Sequence, residues 1–137
     1  MHTTNYSNTF IEIAEDCPVQ SAEIPQQKDD EKTVAVIQFE TIYDNPYKFT
    51  SDDVIFKVFT IKNKLTGLRI KTERDEFFSK GQPCLRSSPL AKRYGWGIHH
   101  NSEGMVAIYA AGSDEYNRLA KDKSLVHIKA MRSKKKS

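Results

Sequence analysis

The run YGWGIHHNSEGMVAIYA, residues 94–110, decides the fold. Two β-prone segments, 94–100 and 105–110, flank Asn101-Ser102-Glu103-Gly104, a cluster of turn formers, so the run reads as a β-hairpin. Downstream, Ser113 is placed to cap a helix over 113–121. Asp114 and Glu115 follow it, and Tyr116, Leu119 and Ala120 form the apolar stripe. Residues 125–131 alternate again. Val126, Ile128 and Ala130 take one face and His127, Lys129 and Met131 the other, as in a returning strand. Hairpin, helix and returning strand predict an α+β domain with a small, mainly antiparallel sheet and helices mostly on one side.

Upstream, residues 1–8 are polar and expected to fray. Residues 9–14 (TFIEIA) read as a strand, and 15–30, with Pro18 and Pro25, as a long loop. Two segments are ambiguous. Residues 31–44 hold the β-branched run TVAVIQF, yet Asp29 and Asp30 can cap a helix, and Val36, Phe39 and Tyr43 recur at helical spacing. Helix is the preferred reading, ending before Asn45-Pro46. Residues 51–62 read as a helix with Thr50 and Asp53 in capping-box positions; the competing reading is a buried strand over 54–61. A short helix over 72–79 carries Glu73, Asp75 and Glu76 early, where the helix dipole favours acids.

The chain has 137 residues, 38% apolar and 28% charged, which suits one globular domain rather than a disordered chain. The expected division is a domain over 1–132 and a flexible basic tail over 133–137. The longest apolar run, Met105–Ala111, falls far short of the ~20 residues of a membrane span. No signal peptide is recognisable, and two cysteines do not make a disulfide framework, so the expected compartment is the cytoplasm.

Charge is unevenly placed. Five of the last nine residues are cationic (Lys129, Arg132, Lys134, Lys135, Lys136), and subtracting them from the net charge of +3 leaves −2. Residues 77–101 contain no acid but carry Lys80, Arg86, Lys92 and Arg93, which leaves −6 for the remainder. An acidic body with two basic zones points to an anionic partner. The last nine residues offer nonspecific affinity for nucleic acid through these five cations.

The chemically suggestive stretch is SKGQPCLRSSPLAKRYGWGIHH, residues 79–100. Gly95 and Gly97 share one face of the strand with His99, leaving bare backbone. Two readings are open there: a helix packed close over the glycines, or a ligand groove floored by them and edged by His99. The loop before it gathers donors suited to phosphate or carboxylate. The candidate ligand-binding set is Lys80, Gln82, Arg86, Ser87, Ser88, Lys92, Arg93, Tyr94, Trp96 and His99. Ser87-Ser88-Pro89 also fits the start of a short helix. Candidate catalytic residues are Cys84 as nucleophile with His99 or His100 as base. A zinc site from Cys17, Cys84, His99 and His100 lacks the usual close ligand spacings, and no metal or cofactor is expected. Asp52-Asp53 reads as a charged helix start. Phosphate-loop, dinucleotide, HExxH and GxSxG motifs are absent.

These features support three functional readings. The first is a non-enzymatic domain holding an anionic small molecule. The second is a cysteine-dependent enzyme. The third is an adaptor that pairs through Gly95 and Gly97.

Together TNYSNTFIEIAEDCP, NPYKFTSDDVIF, FFSKGQPCLRSSPLAKRYGWGIHH, SDEY and KAMRSKKK resemble an uncharacterised family of small bacterial proteins, catalogued as a domain of unknown function. The resemblance covers almost the whole chain. It implies a bacterial, cytosolic protein forming one domain, and it brings no activity, ligand or catalytic residue.

Overall fold

A computed structural model describes residues 1–134. Its strands are β1 (Thr9–Glu12), β2 (Trp96–His100), β3 (Val106–Ala110) and β4 (Val126–Lys129). Its helices are α1 (Val34–Tyr43), α2 (Ser51–Lys62), α3 (Ile70–Phe77), α4 (Pro89–Lys92) and α5 (Asp114–Ala120). The sheet order is β3-β2-β1-β4. β1 and β3 both run antiparallel to β2, whereas β4 pairs with β1 in parallel. The protein is an α+β domain with a mostly antiparallel sheet.

The strand period of two sorts the core. Ile11, Ile98, Val106 and Ile108 point to the face covered by α1, α2 and α4, where they pack with Ile42, Val54, Leu85 and Leu90. Phe10 points to the other face and meets Tyr116 of α5. Both ambiguous segments are helices. Thr33, rather than Asp29 or Asp30, caps α1 by accepting from the Val36 amide. This helix buries Ala35, Val36, Ile37, Gln38 and Ile42. A helix enclosed on most sides loses its amphipathic signature, which is why its β-branched residues imitate a strand. The capping box of Thr50 and Asp53 is formed at the start of α2.

The first residues do not fray as expected. The Thr4 amide and hydroxyl both donate to the Asp52 carboxylate at 2.7 Å, and the His2 amide donates to the Phe78 carbonyl. Asp52 thus ties the N-terminal segment to the first turn of α2. At the other end, the Ser133 and Lys134 amides donate to the Asp16 carboxylate. These contacts hold its carboxyl below its ordinary range, the Lys134 amide contributing most. Of the expected basic tail, Lys135 and Lys136 lie outside the described residues.

The bare face of β2 is filled from within the chain. A Cβ on Gly97 would lie 2.6 Å from Phe10 Cζ and 2.6 Å from Tyr116 Cε2. Gly95 sits at φ +81°, and a Cβ there would come within 3.1 Å of Ala22 and Val19 in the long loop. The ring of Phe10 and helix α5 therefore take the place that a ligand groove would need. Gly97→Ala is expected to destabilise the fold by about 2 kcal/mol through overpacking against two rings. Gly81→Ala, where the nearest heavy atom to the added Cβ is 3.9 Å away, is expected to change stability by less than about 0.5 kcal/mol. Urea denaturation of both variants checks the contrast.

Candidate functional site

The segment after α3 is built to fold back onto α1. The Ser87 and Ser88 amides donate to the carbonyls of Cys84 and Leu85, closing a 3₁₀ turn over Leu85–Ser87. Ser88 then caps α4 by accepting from the Leu90 amide, with Pro89 in the first helical position. Leu85, Leu90 and Ala91 are buried and anchor the turn in the core. Because the Ser88 oxygen accepts from Leu90, its proton is free to go to Gln38 Oε1, 2.5 Å away.

Between this turn and the helices lies a cavity of about 420 Å³. Val34 and Gln38 of α1, with Ile55, Val58 and Phe59 of α2, form one wall. Phe77, whose ring centroid is 4.6 Å from that of Phe59, also lines the cavity, with Pro83, Cys84, Ser87, Ser88 and Pro89 of the following turn. Lys62 and Asn63 stand at the exposed rim. Gln38 is only 5% exposed, and its Oε1 is taken by Ser88. Its amide nitrogen donates to no group among the described residues. Gln38 itself lines the cavity.

The predicted residues divide among several places. Cys84, Ser87 and Ser88 come together at this cavity. Arg86 turns the other way: its Nε donates to the Lys129 carbonyl at 2.7 Å, and its carbonyl accepts from the Met131 amide. It lines a second cleft, of about 390 Å³, with Glu15, Lys129, Arg132 and Lys134. The two basic zones of the sequence therefore meet in space. Glu15 takes up part of that charge, at 3.0 Å from Arg132 and 3.9 Å from Lys129. Lys80 and Arg93 are exposed, and Lys92 and Tyr94 are half-buried. Gln82 donates to the Phe77 carbonyl. Trp96 is buried, with its indole N–H on the Glu23 carbonyl and its ring edge-on to Phe39 and Tyr43.

The histidines are placed apart from the thiol. His99 lies on the opposite face of the sheet, where Tyr47 bridges its Nδ1 and the Tyr109 hydroxyl, both at 2.8 Å. Burial lowers the pKa of His99 while Asp122 pulls it upward. Tyr47 holds this bridge from a left-handed backbone, φ +60°. The Cys84 Sγ instead faces the Tyr6 hydroxyl at 3.1 Å, and the Tyr6 ring stands edge-on to His100. Burial and the Cys84 contact push Tyr6 up to about 12. Thus no imidazole hydrogen-bonds the thiol among the described residues. Nor do three His, Cys, Asp or Glu side chains there form a metal-binding group.

The chain matches a family described as "Family of unknown function (DUF6157)" over residues 1–136. It belongs to that family. No curated protein and no solved structure matches this DUF6157 chain. None of its described helices is long and apolar enough to cross a membrane.

Sequence reading missed Gln38, Phe77 and Lys62 as part of a site. The one available signal was Gln38 itself, a lone amide inside the run VAVIQF and one turn from Val34.

His100 is fully buried, and both ring nitrogens lack hydrogen-bond partners among the described residues. Burial lowers its pKa to about 4, and the neighbouring His99 adds to the fall. An unfolded chain binds this proton near 6.5, so stability from neutral His100 is complete above that pH. It drains as pH falls toward 4, by about 3 kcal/mol in all. His100→Phe is expected to flatten the fall in unfolding free energy between pH 6.5 and 4. A smaller slope remains from His99, and denaturation series at several pH values read both.

Proposed function

We propose that this DUF6157 protein is a non-enzymatic binding domain that seats a small, mainly apolar ligand with an anionic group between α1, α2 and the Cys84–Pro89 turn. The observation that carries this reading is the Gln38 amide nitrogen, which has no partner among the described residues, in a mostly apolar, concave lining. Cavities of a few hundred Å³ with few, well-placed polar groups are where small molecules bind. A ligand oxygen that accepts from that nitrogen would add one net hydrogen bond, worth roughly 0.5–1.5 kcal/mol. Lys62, the sole charged residue of the lining, supplies the cation.

Binding without catalysis fits the thiol's surroundings, since Cys84 has the Tyr6 hydroxyl beside it and no imidazole bonded to it among the described residues. Gly95 and Gly97 are covered within the chain, which leaves no bare backbone for an adaptor's partner. Residence in the bacterial cytoplasm belongs to the same reading. The family resemblance motivates the bacterial source, and the two unbridged cysteines, Cys17 and Cys84, suit a reducing compartment.

The reading predicts saturable binding of Nile red, a neutral apolar fluorophore, with a rise in its emission. Val58→Trp fills the cavity and is expected to weaken this binding at least roughly tenfold, a loss of about 1.4 kcal/mol. Equal emission from wild type and Val58→Trp, with both folded by circular dichroism, would place the dye elsewhere and remove the cavity as its site.

A further inference from the structure

The polar groups around the cavity specify more than an apolar ligand, provided that the cavity has the binding function proposed for it, on which this inference rests. On the α1 side of the cavity, the Gln38 amide nitrogen has no partner among the described residues, and it is a donor. Ser88 has no proton left to give, since it donates to Gln38 while its oxygen accepts from Leu90. At the rim, Asn63 uses its amide nitrogen on the Phe59 carbonyl, and Lys62 makes no ion pair among the described residues. No lining residue is acidic.

We propose that the ligand is a monocarboxylic acid with an apolar chain and one neutral acceptor oxygen, such as a ketone, within that chain. The carboxylate sits at the mouth beside Lys62, the chain lies against Phe59 and Phe77, and the neutral oxygen accepts from Gln38 Nε2. Desolvation dictates this orientation. A carboxylate beside Gln38 would have one neutral donor and no countercharge, and an uncompensated buried charge is costly. At the mouth it keeps much of its water and gains the ammonium. An amine head would meet a cation. A phosphate dianion would need several donors where the rim presents one ammonium.

Calorimetric titration of the full chain with octanoate, octylamine, octanol and 7-oxooctanoate tests this. Octanoate is expected to bind roughly fivefold tighter than octylamine, as one exposed charge contact allows, and Lys62→Gln is expected to erase that preference. Lys57→Gln, on the far side of α2, should leave it intact. 7-Oxooctanoate is expected to exceed octanoate by up to about tenfold, the value of one net hydrogen bond. Gln38→Met should abolish that gain while octanol still binds. If octanoate, octylamine and octanol bind equally, or octylamine binds best, the carboxylate assignment is overturned and the cavity reading stands. If the ketone gives no gain in wild type, the Gln38 assignment is overturned. If none of the four binds, both the inference and the binding reading fall. The wild-type series decides each point even where the Gln38 variant does not fold.

Discussion

The hydrogen bond from Ser88 to Gln38 is the constraint on which the site depends. It joins residues fifty positions apart, both almost wholly buried. Without it, Gln38 would carry a polar amide into the core of a helix that is otherwise apolar where it is buried. With it, the Cys84–Pro89 turn is held against α1 at a fixed spacing, and α2 closes the third side. The same bond orients the amide: its oxygen is committed to Ser88, which leaves its nitrogen as the group for a ligand to meet. A single polar pair thereby determines both the shape of the cavity and the hydrogen-bonding sense of its α1 side.

The rest of the fold is arranged so that this turn can be rigid. Leu85 and Leu90 flank the serines and are buried in the core between the sheet and the helices. The sheet beneath is fixed by the parallel pair of β1 and β4 and by Phe10, whose ring lies over Gly97. The N-terminal segment, tied to Asp52, brings Tyr6 against Cys84 and His100. The Cys84 thiol is thus a packed, hydrogen-bonded wall of the cavity.

Much of the fold was legible because local signals agreed with tertiary packing. The hairpin at 94–110, the Ser113 cap and the Thr50–Asp53 box are short-range features, and each formed. β1 and β4 were recognised as strands, but their parallel pairing depends on contacts more than a hundred residues apart, which no local pattern encodes. The helical nature of α1 was hardest to read, because burial on most sides replaced its amphipathic stripe with a continuous apolar run. In the candidate site, Cys84, Ser87 and Ser88 are neighbours in the chain and line one cavity. Arg86 and His99 sit near them in sequence, yet a turn sends Arg86 toward β4 and the strand period sends His99 to the opposite face. Gln38, Phe59, Lys62 and Phe77 come from three helices, so only the folded chain assembles them.

The most direct test of the account is the side-chain NH₂ resonance pair of Gln38, followed by ¹⁵N-correlated NMR as 7-oxooctanoate is added. The account predicts a saturable shift of that pair together with the amides of Phe59 and Ser88, while the NH₂ pairs of Gln26 and Gln27, on the exposed loop, stay in place. A Gln38 pair that does not move, with shifts gathered instead around Arg86 and Lys129, would contradict it.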